Sequence, residues 1–157
     1  MGKTDAYIIT DDSGHVIHSN HAWNQLCGFK DESIIGRKLK FLQGPLTDVK
    51  GIEDMNLKLS VGLPVRNTLV NYRENGTAFV NEFTILPLYD WLNAASRKRH
   101  NKGRSDAANP TPNTFITGPS HFLCRLDKTP DRPDLKPLSI SEMENRWLYE
   151  TEGAAVV

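Results

Sequence analysis

Short alternating runs of apolar and polar residues open the chain. Ala6-Tyr7-Ile8-Ile9-Thr10 is rich in β-formers and stops at Asp11-Asp12-Ser13-Gly14, after which His15-Val16-Ile17-His18-Ser19 resumes the pattern. This predicts a strand, a tight turn and a second strand, with Gly14 supplying the left-handed residue. Asn20 is placed to cap a short helix through Leu26, which Gly28 stops, and Asp31 to cap another helical turn before Gly36. From Thr47 the apolar residues Val49, Ile52, Met55 and Leu59 recur at three- and four-residue spacing. That spacing predicts an amphipathic helix with a threonine or aspartate cap, ending at Gly62 and Pro64.

Beyond this helix the pattern turns to β. Val65 to Tyr72 and Thr77 to Pro87 read as strands joined through Glu74-Asn75-Gly76, where Asn-Gly is a strong hairpin signal. His121 to Leu126 is a further β-rich run that closes the sheet. Residues 92–119 hold a basic run and then much Asn, Pro, Thr and Ser, a composition that buries too little apolar surface to order itself, which predicts a mobile loop. Prolines 130, 133 and 137 predict an extended connector, and Ser141-Glu142-Met143-Glu144 resembles a capping box opening a helix through about Tyr149. Trp147 gives that helix an apolar anchor for docking on the sheet; a frayed tail is the alternative.

Strand and helix blocks are segregated, so the fold class is α+β: a five-stranded antiparallel sheet with short helices on one face, plus a C-terminal helix. The expected division is a domain over 5–127, with the loop 92–119 inserted, and an extension over 128–157.

Composition narrows the function classes. The chain has 157 residues, with 19 Lys and Arg balanced by 19 Asp and Glu. No global field favours nucleic acid or an anionic membrane surface. No apolar run approaches membrane-spanning length, and Met1 to Thr10 lacks the features of a signal peptide. Cys27 and Cys124 make no disulfide framework, which suits a reducing, intracellular and cytoplasmic setting. Arg97, Lys98, Arg99, Lys102 and Arg104 read as a solvated loop, with a nuclear-localisation or polyanion patch as the alternative. His15, His18 and His21 lack a metal pattern. No phosphate-cradling glycine loop, zinc motif or nucleophile elbow is present, so an enzyme is not expected.

The segment Gly36-Arg37-Lys38-Leu39-Lys40-Phe41-Leu42-Gln43-Gly44 resembles the GRNCRFLQG signature of the light-oxygen-voltage (LOV) branch of PAS sensor domains. The resemblance covers roughly Tyr7 to Asp127, apart from the inserted loop. It includes Leu26-Cys27-Gly28-Phe29, Val70-Asn71-Tyr72 and Phe79-Val80-Asn81. It implies a PAS fold and FMN as cofactor. In that family the central cysteine attacks the flavin after blue-light excitation; here Leu39 has no thiol and cannot form the carbon–sulfur bond.

Gln43, Asn71 and Asn81 match family residues that contact the ribityl chain and the pyrimidine edge, work suited to carboxamides that both donate and accept. Strand alternation predicts that Asn71 and Asn81 share one pocket with Leu69, Phe79 and Phe83.

Other positions depart from the family. Lys38 replaces an asparagine, Lys40 replaces a phosphate-gripping arginine, and Asn56 stands where a second phosphate-binding arginine is expected. Cys124-Arg125-Leu126-Asp127 resembles "VQLD", which puts Arg125 in the place of the glutamine that contacts the flavin and Cys124 on the outer face. Cys27 is expected to pack as a small hydrophobe. The resemblance implies a stand-alone sensory or protein-interaction module, unable to form a cysteinyl–flavin bond, with flavin binding weakened or lost. The alternatives are a blue-light or redox sensor acting by adduct-free flavin photoreduction and a small flavin oxidoreductase. The expected partner is a protein or a second copy, through an outer sheet face carrying Phe122 and Cys124.

Overall fold

A computed structural model describes residues 5–90 and 118–148. Five strands form one antiparallel sheet: β1 (Ala6–Asp11), β2 (Val16–Ser19), β3 (Val65–Tyr72), β4 (Ala78–Leu88) and β5 (His121–Lys128). Their spatial order is β2-β1-β5-β4-β3, so β5, the last in sequence, lies at the centre and pairs with both β1 and β4. Between β2 and β3 run α1 (His21–Cys27), α2 (Asp31–Ile34), a 3-10 helix (Leu39–Leu42) and α3 (Val49–Ser60). After β5 comes α4 (Ile140–Asn145). The predicted α+β class and the order of elements are those observed. The basic run and all but the last two residues of the predicted loop lie outside the described residues.

The Asn20 cap forms as expected. Its Oδ1 accepts from Trp23 N and from Tyr7 N, both at 3.0 Å, so one amide starts α1 and ties it to β1. Gly28, at φ 83°, ends the helix in the left-handed region that favours glycine. Two other predicted caps are absent. Lys30 is the N-cap of α2, and Asp31 instead accepts from Ser19 Oγ at 2.6 Å and Asn24 Nδ2 at 2.9 Å, joining β2, α1 and α2. Asp48 precedes α3 without a side-chain cap bond, while the Thr47 hydroxyl donates to Val70 O at 2.7 Å. Ile52, Met55 and Leu59 form the buried stripe of α3. Val49 is 67% exposed, because it lies about 90° around the helix from the centre of that stripe.

The Asn75-Gly76 turn closes β3 onto β4, with Gly76 at φ 86° and Arg73 N donating to Thr77 O at 2.9 Å. The connector after β5 runs beside the start of β4: Asp131 bridges Phe79 and Val80 N donates to Pro130 O at 3.1 Å. The cap of α4 is Ser139, two residues earlier than the predicted capping box. Ser139 Oγ accepts from Glu142 N at 3.1 Å and donates to Glu142 Oε1 at 2.9 Å. Trp147 anchors the segment on the helical layer: it stacks on Phe41 at 5.3 Å between centroids and meets Phe29 edge-on at 5.8 Å. Trp23, Phe29 and Phe41 form the aromatic centre of the core beneath.

Candidate ligand-binding hollow

The 3-10 helix and three strands enclose one hollow. Leu39, Leu42 and Gln43 form its roof, Leu69 and Asn71 come from β3, and Asn81, Phe83 and Ile85 from β4. Cys124 of β5 completes the wall. The two-residue period of a strand explains the choice: every second side chain of β3 and β4 points inward. Thus Gln43, Asn71 and Asn81, far apart in sequence, converge as predicted. Phe79 is buried but lies elsewhere, its ring 4.5 Å beneath the Arg73 guanidinium.

The carboxamides are only partly satisfied among themselves. Asn81 Nδ2 donates to Asn71 Oδ1 at 2.8 Å, and Asn71 Nδ2 reaches Leu42 O at 3.3 Å and Val70 O at 3.2 Å. Gln43 Nε2 and Asn81 Oδ1 are buried without a hydrogen-bond partner. Each such group costs about 1–3 kcal/mol of desolvation. A donor and an acceptor left open in one apolar hollow suit a ligand edge that offers a carbonyl and an N–H. The free space is about 20 Å³, slightly more than one water molecule needs.

Four positions singled out in the sequence do not line the hollow. Lys38 is buried just before the 3-10 helix and its backbone bridges His15. Lys40 and Asn56 are half-buried, on the 3-10 helix and α3. Arg125 is exposed on the opposite face of the sheet, where its Nε donates to Asp127 Oδ1 at 2.9 Å. The expected inward Arg125 and outward Cys124 are therefore reversed. Phe122, Cys124 and Leu126 are the buried positions of β5. A register shift in the β4–β5 pairing lies between Glu82 and Phe83, after which Phe83 pairs with Leu126 and Ile85 with Cys124. Keeping the guanidinium in water avoids burying a charge, which an inward arginine would have required.

Phe122 and Cys124 accordingly do not form the outer face. There Ile9, Leu123 and Leu86 make a cross-strand apolar row. Cys124 is the functional candidate that sequence reasoning placed on the wrong side. The alternation of apolar Phe122, Cys124 and Leu126 was the signal available for it. Burial pushes its thiol up to about 12, so it is a neutral thiol at ordinary pH. Burial likewise raises Cys27, which packs in the core as expected.

Comparison with known proteins accords with this geometry. Residues 4–98 match the family model described as PAS domain. A blue-light photoreceptor of Listeria innocua is 36% identical over 86 residues, which are 53% of this chain and 34% of that protein. Blue-light-activated histidine kinase 2 of Erythrobacter litoralis is 34% identical over 82 residues, 52% of this chain and 24% of the kinase. The chain thus spans about a third or less of these relatives. The solved LOV domain from Erythrobacter litoralis EL346 blue-light activated histidine kinase superposes with a TM-score of 0.59 at 23% identity, covering 80% of this chain and 96% of that one. The chain belongs to the PAS domain family, and the relatives it resembles include a blue-light photoreceptor and a blue-light-activated histidine kinase.

Proposed function

We propose that the chain serves as a LOV-like PAS sensory or protein-interaction module in which flavin binding is weakened or lost and position 39 forms no bond to flavin. The observation that carries this reading is Leu39 itself. It is 5% exposed and packs in the roof of the hollow, where an aliphatic group offers no nucleophile.

The hollow fits one end of a flavin better than the other. Gln43 Nε2 and Asn81 Oδ1, the unpaired donor and acceptor, match the alternating carbonyl and N–H groups of a pyrimidine edge, and Asn71 would support that edge through Asn81. When bound, a flavin supplies absorption of blue light and a redox-active ring. Against this, the walls leave room for little more than a water molecule, so Leu39, Leu42 and Phe83 must move apart to admit a ring. For the phosphate end, Lys40 offers a point charge and Asn56 none. Losing two charge-assisted hydrogen bonds at about 1.5–3 kcal/mol each weakens binding by roughly two to four powers of ten.

The open donor and acceptor favour a second reading, a flavin sensor that works by adduct-free photoreduction. An oxidoreductase has less support: among the described residues that line the hollow, Cys124 is the sole titratable group, so no acid or base waits there for a substrate. The outer row of Ile9, Leu123 and Leu86 supports contact with a protein partner or a second copy, in place of the face first expected. No helix among the described residues is long and apolar enough to cross a membrane.

Titration with FMN, followed by quenching of flavin fluorescence, tests the reading. Weak binding is expected, tightening by at least tenfold in a Lys40→Arg, Asn56→Arg double variant. Tight binding by the unmodified chain would transfer support to the photoreduction reading.

A further inference from the structure

Residues 41–42 and 71–72 are held together from two sides. On the hollow side, Asn71 Nδ2 donates to Leu42 O at 3.3 Å. On the far side, Arg146 donates from Nε to Phe41 O and from Nη2 to Tyr72 O, each at 3.0 Å. Its Nη1 also reaches Arg73 O at 3.0 Å and Glu74 O at 3.3 Å. The same guanidinium lies 4.9 Å over the Phe29 ring, and the ring of the next residue, Trp147, stacks on Phe41 and lies 4.7 Å from the Arg37 guanidinium.

A planar fork of donors suits this task, because main-chain carbonyls have fixed directions and a single ammonium cannot reach four of them at once. The carbonyls come from two segments distant in sequence. Each segment contributes its neighbouring residue to the hollow: Leu42 follows Phe41, and Asn71 precedes Tyr72.

We propose that Arg146 is a positioning residue for the hollow, one that sets the spacing between the 3-10 helix and the end of β3. A change in the hollow that separates Leu42 from Asn71 must then loosen the docking of α4 and Trp147. By reciprocity, release of α4 must loosen the Leu42–Asn71 contact. The proposal requires no particular ligand, and failure of FMN to bind leaves it standing.

Native-state hydrogen exchange of the full chain, analysed by peptide mass spectrometry, tests it. Asn71→Leu removes the inner tie, with Asn71→Ser as a milder second variant if the first does not fold. The comparison is Ile8→Val in β1, chosen as a core change remote from both ties, with exchange normalised to each variant's global stability. The expected result is exchange about tenfold faster over 141–148 in the Asn71 variants than in the control. Arg146→Ala is expected to accelerate exchange over 41–43 to a similar degree. Arg146→Lys should fail to rescue it, since charge without the fork cannot span both segments. Exchange over 141–148 that follows global stability alike in the Asn71 and Ile8 variants would overturn the proposal. So would full rescue by lysine.

Discussion

Asn81 reaches diagonally across the sheet to Asn71: its direct partner on β3 is Leu69, yet its Nδ2 donates to Asn71 Oδ1 at 2.8 Å. This links two amides whose burdens differ. Asn71 also donates to Leu42 O and Val70 O, whereas Asn81 keeps an unpaired Oδ1. Asn71→Ala should therefore cost about 1–3 kcal/mol, since it strands the Leu42 carbonyl and the Asn81 amide together. Asn81→Ala should cost distinctly less, because it removes a buried acceptor that was already unsatisfied. Urea denaturation of the two variants measures the order.

Cys124 predicts a loss of stability on the alkaline side. An unfolded thiol ionises near 9.0, while the buried one holds its proton to about 12. Between those values the unfolded chain releases a proton that the folded chain keeps, so stability present below pH 9 falls as pH rises. The slope from one such group is about 1.4 kcal/mol per pH unit. Cys124→Ala should flatten the stability curve in that window relative to the unmodified protein, whatever constant cost its truncation adds. Denaturant titrations at stepped pH check this.

Gly44 marks where the segment after the 3-10 helix passes beneath the C-terminal extension. A Cβ built there would lie 2.5 Å from Tyr72 Cε2 and 2.9 Å from Leu138 Cδ2. Both partners are buried, so they have little freedom to withdraw. Gly44→Ala should destabilise the protein by about 1–3 kcal/mol through overpacking. It should also lift the Leu135–Leu138 region away from Tyr72. Thermal melting reads the first effect and hydrogen exchange over 135–138 the second.

Asp31 gives the acid side of the profile. The Ser19 hydroxyl, and then the Asn24 amide, hold its carboxyl below the ordinary value of 3.8. The stabilisation is thus present above that value and disappears as pH falls through the lowered one. Asp31→Asn should lower the melting temperature at neutral pH, with the difference from the unmodified protein shrinking below pH 4. A melting series from neutral to acidic pH decides it.

The fold was legible because local signals agreed with one another. The Asn20 cap, the Gly28 stop, the Asn75-Gly76 turn and the apolar stripe of α3 each point to the element that forms. The convergence of Gln43, Asn71 and Asn81 was legible too, since strand period and ordered motif agree there. On β5 the two conflicted. The motif ending Leu126-Asp127 placed Arg125 inward, while burial of Phe122, Cys124 and Leu126 demanded the opposite face, and desolvation decided. A change of pairing register between strands leaves no mark in a single sequence. Arg146 was invisible for another reason: its partners are backbone carbonyls, which every sequence has. Asp31 and Thr47 carried cap-forming side chains that tertiary partners claimed instead.

The most direct measurement is the visible absorption of protein mixed with excess FMN and freed of unbound flavin, recorded in darkness and after blue illumination. Well under one flavin per chain is expected and, in whatever flavin is retained, no light-induced spectral change that depends on a cysteine. One flavin per chain that bleaches in light, recovers in darkness and loses that response in Cys124→Ala would contradict it, by showing that β5 supplies the sulfur missing at Leu39.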